Sequence, residues 1–148
     1  MTPQIIRSGA GDAQNILGMR HLNKIRPGGP VPGLLVEVTA PPGLGAPPHR
    51  HDDDTEVFYL LEGELTILSE DERHVLRPGD TCILPARGEH AFCNESGAPV
   101  RFLAFISPGL DAIDFFTAVD AAGAHGEASP ETIMRIGSDR GVVFAEPA

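Results

Sequence analysis

The sequence contains no tryptophan and a single tyrosine, Tyr59. Aromatic residues make up 5% of its 148 positions, so little flat surface exists for stacking a large planar ligand. Cations are also scarce: 11 Lys and Arg stand against 21 Asp and Glu, for a net charge of −10. That balance argues against nucleic acid and anionic membranes as partners, because their phosphates call for Lys and Arg. No apolar run approaches the ~18 residues that cross a bilayer. The opening stretch Met1-Thr2-Pro3-Gln4-Ile5-Ile6-Arg7 has no basic segment leading into an apolar one, and a cytoplasmic location is the expectation. Only two cysteines occur, Cys82 and Cys93, and neither lies in a CxxC, which removes zinc-ribbon and thioredoxin-like motifs. Both read as small buried or half-buried thiols.

What is abundant is glycine (17) and proline (14), together about a fifth of the chain. That content starves long helices and favours a turn-rich β protein. The length suits one domain over residues 1–148, large enough to carry a core without staples. Residues 1–13 read as loosely held, and residues 16–25 as one strand or two short ones. Residues 34–39 (Leu-Leu-Val-Glu-Val-Thr), 56–61, 65–68, 73–76, 81–84, 90–93 and 100–106 carry strand signals, separated by Pro/Gly or acidic turns. Residues 26–33 and 40–48 read as loops, with a short strand at 49–51. Strands recurring every ~8–12 residues indicate a sandwich or barrel. The C-terminal part changes character. Ile113, Phe116 and Val119 stand at helical spacing over 110–121, Ser129-Pro130-Glu131 signals a second helix start, and residues 142–144 suit an edge strand.

Chemistry concentrates in four residues. His49 and His51 are two apart in a strand-like segment, so their imidazoles share a face. Simple alternation would put Glu56 on the opposite face, so the turn at Asp52-Asp53-Asp54 must end one strand and begin another. His90 begins a later strand. Three imidazoles and a carboxylate make a site for one divalent transition ion, drawn from Fe, Mn, Co, Ni, Cu or Zn, with positions left open for a ligand. One carboxylate against a divalent ion leaves net positive charge, which favours an anionic or enolate-like oxygen. Sharing parity with Glu56 or His90, Phe58, Leu60 and Phe92 are the expected walls of a substrate pocket. Arg87 is a candidate for orienting an anionic substrate. The three Asp read as a solvated turn, His21, His74 and His125 as surface or partly buried histidines, and Phe115 and Phe116 as helix-packing residues or a cover for the barrel mouth.

Two patterns make this arrangement specific. Gly43-x5-His49-x-His51-x4-Glu56-x6-Gly63 resembles the first cupin motif, and Gly79-x5-Pro85-x4-His90-x3-Asn94 the second. One departure occurs: the family usually has Gly two residues after the Pro, whereas Ala86-Arg87 here precede Gly88, which shifts the turn by one residue. The chain is similar to small single-domain cupins of the quercetinase-like branch. The resemblance implies an all-β double-stranded β-helix, a jelly-roll barrel over about 15–106, with a short C-terminal helical extension over about 108–148. It implies a metal inside the barrel and a homodimer. The function it implies is a metal-dependent dioxygenase for a small enolic or phenolic substrate, with Glu56 both ligand and proton acceptor. A small-molecule binding or sensing protein, and a metal-dependent isomerase or lyase, remain as alternatives.

Overall fold

The computed structural model describes residues 2–146. Its chain runs through β1 (Asp12–Ile16), β2 (Met19–Ile25), β3 (Leu34–Ala40), β4 (Gly45–His51), β5 (Thr55–Glu62), β6 (Leu65–Ser69), β7 (Glu72–Leu76), β8 (Thr81–Leu84), β9 (His90–Cys93) and β10 (Val100–Ser107). Helices α1 (Leu110–Ala124) and α2 (Pro130–Ser138) and a last strand β11 (Val142–Phe144) follow. Two antiparallel sheets result, ordered β1-β2-β3-β10-β5-β8 and β11-β4-β9-β6-β7. This is the jelly roll expected, with the expected helices at its C-terminal end.

Alternation builds the core. In β3 and β10 every second residue is buried, with Leu34, Val36, Val38 and Ala40 opposite Ile106, Ala104, Phe102 and Val100. Phe58 and Phe102 of the larger sheet meet Phe92 of the smaller one, with ring centroids 4.8–5.7 Å apart. Fully burying such a side chain contributes about 1.5–3 kcal/mol. Helix α1 then lays Phe115, Phe116 and Val119 against the same core.

Some expectations need correction. The first strand begins at Asp12, inside the stretch read as loosely held; Lys24 Nζ also ties that stretch down through the carbonyls of Arg7 and Ala10. The loop read over 40–48 is partly strand, since β4 starts at Gly45. Pro47 and Pro48 fit because the β4–β9 register shifts between Ala46 and His49, so no ladder bond is asked of them there. Gly45 is required by crowding, as a Cβ there would collide with the Phe92 carbonyl.

Candidate metal centre and cavity

Strand β4 presents His49 and His51 on one face, as alternation demands. His49 stands directly opposite His90 of β9, with ring centroids 4.5 Å apart. The chain then crosses at Asp52–Asp54 from the smaller sheet into β5 of the larger one, and this crossing resets the alternation. Glu56 sits opposite Ile106 and Leu84 and turns inward. All four residues are buried, and one potential ligand atom from each lies within 4.8 Å of the other three. Glu56 Oε1 is 2.6 Å from His51 Nε2 and 3.7 Å from His90 Nε2.

The donor set fits a divalent transition ion. His49 Nδ1 donates to the Pro47 carbonyl at 2.8 Å, and His90 Nδ1 approaches the Gly88 carbonyl at 3.3 Å, which turns both Nε2 atoms toward Glu56. That backbone support is how ligating imidazoles are held in register and tautomer. His90 Nε2 is buried with no hydrogen-bond partner, an unfavourable state that an ion would relieve. Without a metal, burial opposes the charge on Glu56, but His51 and the other two imidazoles outweigh it and hold the carboxyl down at about 2. Burial, with help from the neighbouring imidazoles, lowers His49 to about 4. Burial and His51 also lower His90. For His51 burial works in the same direction, but the Glu56 carboxylate wins and the net shift is upward.

The cluster opens onto a cavity of about 40 Å³ between the two sheets and α1. Phe58, Phe92 and Phe102 line it from the barrel side, and Phe115, Phe116 and Phe144 from the C-terminal side. Thus α1 and β11 cover this end of the barrel. Phe58 and Phe92 stand where the sequence reading put them. Leu60 does not: it is fully buried in the core and does not line the cavity, because its row in the sheet lies beyond that of Phe58. Arg87 is exposed and its side chain is not part of the lining, so a substrate-orienting role through that cavity is not supported; its backbone N–H donates to the His51 carbonyl at 2.7 Å.

Three further residues differ from expectation. Arg87 has φ 71°, the left-handed conformation a glycine takes most easily, at the position where the family usually has Gly. The turn is therefore not displaced, and Arg87 adopts the backbone conformation itself. Asp54 is not a solvated turn residue: its buried carboxylate accepts from the N–H groups of Gly109 at 2.7 Å and Ala112 at 3.1 Å, capping α1. His21 is buried, where a surface or partly buried histidine was expected. It is 5% exposed, lines the cavity and packs edge-on against Phe116 at 4.7 Å. Its strand, β2, carried only a pattern of apolar residues in the sequence, and the alternation Met19-His21-Asn23 was the one available signal. His74 and His125 are exposed, as expected, and the two cysteines are free.

Residues 36–106 match the family described as Cupin domain, a stretch that holds both histidine motifs. That stretch is a cupin domain. Over 92 residues the chain is 30% identical to a quercetin 2,3-dioxygenase of Bacillus subtilis, a match covering 62% of this chain but only 27% of that much longer enzyme. Over 116 residues it is 28% identical to an oxalate-binding protein of Thermotoga maritima, covering 72% of this chain and 87% of that one. Among solved structures, KdgF from Halomonas sp. superposes with a TM-score of 0.65 at 21% identity, over 76% of this chain and 99% of that chain. Among the described residues, no helix is long and apolar enough to cross a membrane.

Proposed function

We propose that this cupin is a metal-dependent dioxygenase of a small enolic or phenolic compound, with His49, His51, Glu56 and His90 holding one divalent transition ion. The observation that carries this reading is the buried imidazole–carboxylate cluster facing a cavity with otherwise largely apolar walls. The similarity to a quercetin 2,3-dioxygenase supports the reaction class. Such an ion, when bound, acidifies a ligand hydroxyl and makes a place for O2 to react. The chain supplies the rest. Pro47 and Gly88 hold the imidazoles of His49 and His90 in one tautomer. Glu56 is ionised at neutral pH and is the group placed to accept the hydroxyl proton. Phe58, Phe92 and Phe102 exclude water from the reacting end. The small cavity, about 40 Å³, favours a compact substrate over a flavonoid.

A second reading, a binding protein without turnover, is favoured by the oxalate-binding relative, whose length this chain nearly spans. One experiment separates the two. Untagged protein is loaded in parallel with Fe(II), Mn(II), Co(II), Ni(II) and Cu(II), its metal content is measured, and O2 uptake is followed with a panel of small enols and phenols under 18O2. The expected result is about one ion per chain, O2 consumption with at least one compound, and 18O in the product. Glu56→Gln is expected to lower that uptake by at least tenfold while keeping some metal. Turnover that proceeds equally under nitrogen would instead make the protein an isomerase or lyase. Ligand binding with no turnover by any metal form would make it a binding protein.

A further inference from the structure

The cavity has a polar group that the metal reading does not use. Among the described residues lining it, the polar side chains are His49, His51 and Glu56 of the cluster, and His21. His21 comes from β2, three strands from β5 in the larger sheet: it pairs with Val38 of β3, Val38 with Phe102 of β10, and Phe102 with Leu60 of β5. Glu56 lies on the same β5, four residues before Leu60. The same cavity therefore has a ligand-binding carboxylate on β5 and a single imidazole on β2, with the apolar Val36, Val38, Phe102 and Ala104 among the lining residues contributed by the strands between them. His21 Nδ1 is buried and, among the described residues, has no hydrogen-bond partner. A buried ring nitrogen left unpaired in an apolar wall is unfavourable unless something in the cavity satisfies it. Among the described residues no acidic side chain pairs with His21, and burial lowers its pKa to about 4 against a weaker upward pull from Glu56. The ring is thus neutral at pH 7, a hydrogen-bonding group and not a cation.

We propose that His21 is a positioning residue that hydrogen-bonds a neutral hydroxyl or carbonyl oxygen of the ligand, while an anionic oxygen of the same molecule meets the four-residue cluster. This rests on the metal-site reading above and narrows it. The substrate is small and has two oxygen functions, one ionisable and one neutral, joined by a short apolar linker. A dianion such as oxalate is disfavoured, because a neutral imidazole in an apolar wall does not compensate a second negative charge.

The test uses the zinc-loaded protein, which is diamagnetic and does not turn over O2, and two probes of equal chain length, 3-hydroxypropionate and propionate. Dissociation constants are measured calorimetrically, and the ring nitrogens of 15N-histidine-labelled protein are followed by NMR. The wild type is expected to bind 3-hydroxypropionate about fivefold to tenfold more tightly than propionate, the gain of one hydrogen bond. The His21 ring signals are expected to shift with the hydroxylated probe only. His21→Leu is expected to abolish the preference without changing zinc content or propionate affinity, and His21→Gln, which keeps a donor and an acceptor, to retain part of it. An unchanged preference in His21→Leu overturns the role of His21 and leaves the metal site standing. If that variant fails to fold, His21 ring signals that respond equally to both probes overturn it in the wild type. Failure of both probes to bind a protein that does hold zinc overturns the open ligand site, and the role of His21 with it.

Discussion

At the scale of single residues, the four-residue cluster was legible and its surroundings less so. His49, His51 and Glu56 are close in sequence and His90 follows a proline at fixed spacing, so local geometry is enough to aim them. His21 reaches the same cavity only through strand pairing across β3 and β10, and no local pattern carries that information. Arg87 is instructive in another way. A missing glycine suggested a displaced turn, yet the backbone bond from Arg87 to His51 holds the turn and Arg87 takes a positive φ instead. Holding a side-chain-bearing residue there costs about 1–2 kcal/mol, which the surrounding contacts outweigh. The ligand assignment is open to a direct check at this scale. His51→Ala removes an imidazole whose Nε2 lies 2.6 Å from Glu56. It is expected to cut metal content at least tenfold. EDTA is expected to lower the melting temperature of the wild type by several degrees, because an ion that binds only the folded state stabilises it, and to leave His51→Ala almost unmoved. Equal metal content in the two proteins would remove His51 from the ligand set.

At the scale of elements, the alternation of β3 and β10 and the helix signal at Ser129 carried through to the structure. Ser129 Oγ accepts from the Thr132 N–H at 3.2 Å, as an N-cap should. The start of β4 did not carry through, because two adjacent prolines read as a loop when the irregularity they occupy is set by the partner strand. The crossing between β4 and β5 did more than reverse an alternation. It sends Asp54 into the N-terminus of α1, where Gly109 offers no side chain of its own as a cap. Asp54→Ala leaves two buried N–H groups without their acceptor and removes a charge-assisted cap, a loss of about 2–4 kcal/mol. The check is a urea titration followed by far-ultraviolet circular dichroism, with Asp54→Asn, which keeps one acceptor oxygen, expected to fall between wild type and Asp54→Ala. A loss under about 0.5 kcal/mol would mean that α1 is held by its apolar face alone.

At the scale of the whole molecule, the buried histidines set an acid limit on the metal-free protein. His21 and His49 have folded pKa values of about 4, below the ordinary 6.5, so the unfolded chain takes up their protons first as pH falls. The stability that depends on keeping them neutral is complete above 6.5 and is lost between 6.5 and 4, at most roughly 3 kcal/mol for each. His51 runs the opposite way. Its pKa is raised by Glu56, so its contribution is complete below 6.5 and is lost as pH rises through the raised value. Glu56, held at about 2, adds a loss only below its ordinary 4.5. Two deeply buried neutral histidines outweigh one charged one. The urea midpoint of EDTA-treated protein is therefore expected to fall between pH 7 and pH 4.5, and to fall less in His21→Leu. A midpoint independent of pH over that range would contradict the burial of these rings.

Strand β11 adds itself to the edge of β4 along the two histidines of the cluster, Val142 against His51 and Phe144 against His49. The polypeptide passes its C-terminal segment around the structure and lays it beside the strand that carries His49 and His51, like the pin that closes a clasp. Residues 142–144 are then a wall of the cavity and not an appendage to the barrel. Cutting the chain ahead of residue 142 would leave a complete set of ligands with one side open to water.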